Sequence, residues 1–290
     1  MMNRAIKKYY FEVLCLLPLI IFLLFLTLVP IISVITLSFQ APASLGGNAQ
    51  LSLTHYSELL SQKAFRDAFF NTLIIAGVSL MLEVGLGLVL ALIFSKTSRV
   101  LRFLRVIFIL PLAIPTAVVG VIMGYLFSNS GWINRILEDA GLIQSSIYWM
   151  SGGLKSLMMV SLADTWKVTP IVMLILLAGL QSIDPSLYKA ARMDGAGTFY
   201  IFRRITLPLL MPSITAAVII RGIDAFRIFA LPLILMGQNL KVIGTYAYLE
   251  YAEFNNPYTS AASSVILLVM ILAAVFIYIR VAGKRGMVIA

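Results

Sequence analysis

The 290-residue sequence predicts an all-α polytopic membrane protein: six transmembrane helices, both termini cytoplasmic, and a short cytoplasmic helix between helices four and five. Three observations predict this class. Hydrophobic residues make up 61% of the chain and charged residues 12%, with a mean hydropathy of +0.99. Soluble domains carry about 25% charged residues, and no soluble core absorbs this much apolar sequence. The apolar residues stand in six runs, each longer than the roughly 20 residues that cross the hydrocarbon. They are continuous rather than alternating, which excludes a β-barrel. Lastly, lysine and arginine are divided unevenly between alternate loops.

The first run, 13–39, follows Arg4, Lys7 and Lys8 and precedes Ala41-Pro42-Ala43, which together resemble a signal peptide. Its 27 residues far exceed the about 7–15 of a signal core, so it is expected to be a retained span. The second run, 68–94, contains Glu83. The third, 101–127, carries Gly120 and Gly124 in a GxxxG spacing that suits close helix packing. The fourth, 155–181, is interrupted by Asp164 and Lys167. The fifth, 205–236, holds Arg221, Asp224 and Arg227, and the sixth is 260–282.

Fourteen basic residues fall on one side of this arrangement, among them Arg4, Lys96, Arg102, Arg192, Arg203 and Lys284. Five fall on the other: Lys63, Arg66, Arg135, Lys155 and Lys241. The basic side is the cytoplasmic one, which puts both termini and the 182–204 loop inside. The outer loops 40–67 and 128–154 are too short to bury a core of their own. The expectation is therefore one transmembrane domain over 1–290.

Several function classes fall away. The net charge of +10 is spread among loops, whereas a nucleic-acid site needs a clustered basic face. Cys15 is the single cysteine and lies in an apolar run, so no internal disulfide or cysteine metal site is expected. His55, the single histidine, is expected as an exposed loop residue. No span contains a nucleophile–base or metal constellation, so no catalytic residue, metal or cofactor is assigned. No GxxxxGK[ST] loop is present. If ATP is used, a partner hydrolyses it, and the chain itself is not an enzyme.

The stretch LYKAARMDGAGTFYIFRRITLPLLMP, Leu187 to Pro212, is amphipathic, basic and punctuated by glycine. Asp184-Pro185 is a helix start, because aspartate accepts from free N–H groups and proline fits the first turn. Gly195 and Gly197 end this helix, with Gly195 suited to positive φ. Thr198 is then expected to cap a second helix carrying Phe199, Phe202 and Ile205. An interfacial helix lying on the headgroups is one reading. Alanine and glycine argue against it, since they anchor poorly in lipid and let a protein surface approach closely.

The run Ala190-Ala191-Arg192-Met193-Asp194-Gly195-Ala196, followed by Ile205-Thr206-Leu207-Pro208, resembles the EAA loop signature of ABC importer permeases. Trp166 to Tyr188 is similar to the fourth span of the sugar-importing class, and Asn71-Thr72 also fits it. The resemblance covers most of residues 65–235. It implies a coupling helix, with Tyr188, Lys189, Ala190, Ala191, Asp194, Gly195, Ala196 and Gly197 docking against a cytoplasmic ATPase. It also implies a second homologous permease, two ATPase subunits, an extracytoplasmic solute-binding protein and a sugar substrate. Lys189 stands where the family usually has glutamate, a reversal of charge. The alternative is a secondary transporter driven by an ion gradient. It would show internal repeats, and none is clear between 13–127 and 155–282.

Six charges inside the runs need an account: Glu83, Asp164, Lys167, Arg221, Asp224 and Arg227. Each costs about 2.5–3.5 kcal/mol at mid-bilayer on insertion scales. Arg221 lies about 24 Å, and Lys167 about 21 Å, from the inner ends of their runs at 1.5 Å per residue. On a regular helix Arg221, Asp224 and Arg227 share an arc of about 120°, and Asp164 and Lys167 lie about 60° apart. They either neutralise one another as i,i+3 pairs or line a polar substrate pathway. Glu83 is the isolated one, and a lone ionisable residue in a span is a pathway candidate.

Overall fold

The computed structural model describes residues 2–40, 51–96 and 98–284, with side chains described from Tyr9 to Ala282 within them. Ala41-Pro42-Ala43, Arg285 and the side chains of Arg4, Lys7, Lys8 and Lys284 lie outside that range. Every regular element is helical. In chain order they are α1 (Met2–Ser38), α2 (Thr54–Ser61), α3 (Lys63–Phe94), α4 (Arg99–Ala113), α5 (Thr116–Leu126), α6 (Trp132–Asp139) and α7 (Gly153–Gln181). There follow α8 (Pro185–Met193), α9 (Thr198–Ile201), a π-helical turn (Phe202–Thr206), α10 (Leu207–Phe226), α11 (Ala230–Met236), α12 (Ile243–Ala252) and α13 (Pro257–Lys284). Among the described residues the only β pairing is an isolated bridge between Gln40 and Leu51.

Five segments are long and apolar enough to cross a membrane: Tyr9–Ser38, Lys63–Phe94, Gly153–Gln181, Thr198–Phe226 and Pro257–Ala282. The third expected span is instead the pair α4 and α5, bent by 99°. Proline is the cause. Ile114 precedes Pro115 and is extended at ψ 129°, because a residue before proline is pushed out of the helical region. The fifth expected span also stops early. α10 ends at Phe226, and the chain turns through Arg227 to Phe229 before α11. A helix running on through Pro232 would lose the bond to Ile228 and clash with it.

The chain divides into two compact units. The first comprises Met1–Gln62 and Ala247–Ile266. Here α1 is exposed on every side from Tyr9 to Val34, as befits a helix that is apolar all round. Tyr56 Oη donates to Ser38 Oγ at 2.7 Å. His55 corrects the expectation of an exposed residue: it is buried, its Nε2 lies 3.0 Å from the Gln40 carbonyl, and its ring stacks on Tyr258.

The second unit comprises Lys63–Tyr246 and Leu267–Ala290. Its axis is the packing of α3 on α7. The buried stripe of α3 runs Thr72, Ala76, Ser79, Glu83, Gly87, Ala91, Phe94, at the spacing of one helix face. Small residues dominate it, so the two helices approach closely. A Cβ on Gly87 would lie 2.7 Å from Val172. Near the start of α3, Asn71 Nδ2 donates to the Lys241 carbonyl at 2.9 Å, and the Ile243 amide donates to Thr72 Oγ1 at 2.9 Å.

Gly120 likewise presses α5 against Ile234 of α11. Beyond α5, buried Asn134 organises the 128–149 loop. Its Nδ2 serves the carbonyls of Ser128, Asn129 and Ile147, and its Oδ1 accepts from the Ile147 amide and Trp149 Nε1.

Candidate functional site

Two places draw the sequence-derived residues together. The first is a charge cluster buried where α3, α7 and α10 meet. Arg221 Nε donates to Glu83 Oε2 at 2.8 Å, and Arg221 Nη2 to Oε1 at 2.9 Å. The planar guanidinium thus meets the carboxylate with two parallel bonds, the strongest form of this pair. The same Nη2 reaches Asp164 Oδ2 at 3.4 Å, and Nη1 lies 3.5 Å from Asp224 Oδ2. One cation therefore serves three carboxylates from three helices. Glu83 is fully buried, Asp164 nearly so, and the Asp224 side chain is 53% exposed.

This overturns three expectations. Glu83 is not isolated, since Arg221 satisfies both of its oxygens. Asp164 and Lys167 do not pair: Asp164 faces Arg221, and Lys167 Nζ donates to Thr116 Oγ1 at 2.7 Å. Arg227 leaves the shared face, because it is the residue past the end of α10 and is exposed. The structure gathers Glu83, Asp164, Arg221 and Asp224 into one cluster, ties Lys167 to the start of α5, and sets Arg227 apart. Thr116 escaped sequence reading. The available signal was its position directly after Pro115, at the first turn of a new helix.

The second place is the 182–204 loop. Asp184 Oδ1 accepts the Ser186 amide at 2.8 Å, and Pro185 occupies the first turn of α8. That N–H holds the Asp184 carboxyl below the usual carboxylate range. At the other end the Gly195 amide donates to Arg192 O and the Ala196 amide to Ala191 O, with Gly195 at φ +75°. This is a Schellman ending, which requires a left-handed residue and so favours glycine. Gly197, not Thr198, is the N-cap of α9, and no side chain caps it. The π-helical turn then carries the helix into α10 without a break.

Lys189, Ala190, Asp194, Gly195 and Gly197 are exposed, Tyr188 and Ala196 half-buried, and Ala191 buried. Thr206 Oγ1 donates to Tyr188 Oη at 3.3 Å, so α8 is tied to the foot of α10. Between them lies an open groove of about 800 Å³, bordered by Leu187, Ala190, Gly195, Tyr200 and Arg204. The arrangement is a short helix capped at both ends, with Ala190 exposed and the glycine turn beside it, anchored to the helix that carries Arg221.

Residues 83–284 match the family described as binding-protein-dependent transport system inner membrane component. The trehalose/maltose transport system permease protein MalF of Thermococcus litoralis is 32% identical over 278 residues, covering 94% of this chain and 93% of that one. The trehalose transport system permease protein SugA of Mycobacterium tuberculosis is 30% identical, covering 82% and 76%. In fold, the chain matches a subunit of a bacterial ABC transporter involved in import of the acidic polysaccharide alginate. That match has a TM-score of 0.84 at 24% identity, covering 98% of each chain.

Proposed function

Because the chain belongs to the family of binding-protein-dependent transport system inner membrane components, and so is a multi-pass inner-membrane permease of the ABC importer type, we propose that it forms half of the translocation pathway for a disaccharide or oligosaccharide. The sugar class is supported by relatives named for trehalose/maltose and for trehalose transport, matched over 94% and 82% of this chain. On this reading residues 1–290 act as one transmembrane domain with both termini cytoplasmic, in accord with the division of basic residues. A second homologous permease completes the pathway. An extracytoplasmic binding protein delivers the sugar, and two cytoplasmic ATPase subunits supply the energy.

The observation that carries the coupling role is α8. It is short, capped at both ends by its own sequence, exposed at Lys189, Ala190 and Arg192, followed by exposed Gly195 and Gly197, and hydrogen-bonded to the base of α10. A partner's groove can close on such a helix, and displacement of α8 is passed to α10 as a lever. Tyr188, Lys189, Ala190, Ala191, Asp194, Gly195, Ala196 and Gly197 form that handle. Glu83, Asp164, Lys167, Arg221, Asp224 and Arg227 belong to or border the polar pathway.

A photo-crosslinker placed at Ala190 in the transporter purified with its ATPase tests this directly. The expected product is an adduct with the ATPase subunit. Labelling of lipid alone in the intact assembly removes the coupling role. Uptake of labelled trehalose and maltose tests the substrate class; uptake that survives ATP depletion and collapses with the proton gradient overturns the ATP-driven reading.

A further inference from the structure

We propose that Asp224 and Lys167, rather than Glu83, are the charged groups that meet a hydroxyl-bearing substrate, and that Arg221 positions Asp224 from behind. This inference rests on the pathway reading above.

The cluster has two tiers. Glu83 has no exposed surface, and both of its oxygens are taken by Arg221. It cannot reach a solute unless α3 and α10 separate. Asp164 is buried against the same guanidinium. Asp224 differs: its approach to Arg221 is 3.5 Å, longer than either Glu83 bond, and half of its side chain is open. A carboxylate on a membrane span is not left facing hydrocarbon, so that open half faces water or another polar surface.

The helices on either side carry a matching surface. On α10 the exposed residues Ala216, Ile220 and Asp224 follow one another at four-residue steps. On α7, exposed Leu174 and Ala178 share a face with half-buried Lys167 at helical spacing. The two helices press together at Gly179, where a Cβ would strike Ser213. Each stripe is small or aliphatic and ends in one charge, a carboxylate on α10 and an ammonium on α7. Lys167 donates one of its three N–H groups to Thr116, and the half-open side chain of Asp224 offers an acceptor. A donor and an acceptor beside an apolar wall suit a ring that is hydroxylated at its edges and apolar on its faces. Arg221 touches no solute here; it fixes the carboxylate that does.

Cys15 is the only cysteine, so a Cys15→Ser background allows single thiols to be read. In the assembled transporter, Asp224→Cys and Lys167→Cys are exposed to a membrane-impermeant methanethiosulfonate. Only a water-exposed thiol ionises, so both are expected to react at least about tenfold faster than Val269→Cys on the apolar surface of α13. Rates equal to that control overturn the inference and leave ATP-driven uptake intact. In uptake of trehalose or maltose, Asp224→Asn is expected to raise KM about tenfold at unchanged assembly, as for one lost charge-assisted hydrogen bond. An unchanged KM counts against the contact. Arg221→Lys keeps the charge but loses the fork, and is expected to raise KM with Vmax retained. A fall in assembled transporter with KM unchanged assigns Arg221 a purely structural role and overturns the positioning claim.

Discussion

Arg221 and Glu83, 138 residues apart in sequence, share two parallel hydrogen bonds of 2.8 and 2.9 Å that lock α10 to α3. Neither side chain has solvent to fall back on. Replacing Arg221 strands the buried Glu83 charge, a penalty of about 3–5 kcal/mol for a buried pair, whereas Arg221 without Glu83 still faces Asp164 and Asp224. Arg221→Met is expected to lower the thermal midpoint of the purified assembly sharply, and Glu83→Gln to lower it less. The double variant removes the Glu83 charge together with the guanidinium but leaves buried Asp164 without its cation, and is expected to recover only part of the loss. A double variant as unstable as the worse single one would show that the pair is not the unit of stability.

The end of α8 depends on Gly195 at φ +75°. A β-branched residue there costs about 1–3 kcal/mol in backbone strain and unwinds the Schellman ending. Gly195→Val is expected to depress sugar uptake while membrane insertion and ATP hydrolysis by the partner persist. Ala191→Trp, which forces bulk into a buried site between α8 and its neighbours, is expected to do the same. Paired measurement of uptake and ATPase rate checks both. Wild-type uptake in the two variants would count against α8 as the handle.

Gly120 and Gly124 share a motif but not an environment. A Cβ at Gly120 would lie 2.6 Å from Ile234 Cγ2, whereas one at Gly124 meets only Leu235 Cδ2 at 3.9 Å. Gly120→Ala is expected to destabilise by about 1–3 kcal/mol through overpacking. Gly124→Ala is expected to be neutral or to stabilise by up to about 1 kcal/mol through helix propensity. Thermal unfolding of the two variants reads the difference.

Asp184 caps α8 through the Ser186 amide, and this bond holds its carboxyl below the usual carboxylate range. A lowered folded value means that the cap is at full strength above the ordinary carboxylate pKa and is lost as pH falls through the lowered one. Hydrogen exchange at the first turn of α8 is expected to accelerate over that acidic window. Asp184→Asn is expected to keep the cap and lose the pH dependence, and Asp184→Ala to exchange fast at every pH.

The sequence by itself determined the helical membrane class, the approximate positions of the apolar segments, and the start, stop and glycine turn of α8. These are local properties. Crossing the hydrocarbon needs only enough consecutive apolar residues, and a cap needs only the right residue within a turn of the helix end. The sharp bend at Pro115 and the early end of α10 before Pro232 were also written locally, in the prolines, but the high hydropathy of both runs masked them. Tertiary structure decided the charge partners beyond the local Arg221–Asp224 contact. Local spacing offered Arg221 only Asp224 and Arg227, and offered Lys167 only Asp164. Once α3, α7 and α10 pack, the nearest acceptors come from other helices: Glu83 for Arg221, and Thr116 for Lys167. In a medium that gives a charge no water to turn to, its partner is set by whichever helix lies alongside, and one-dimensional spacing does not record that.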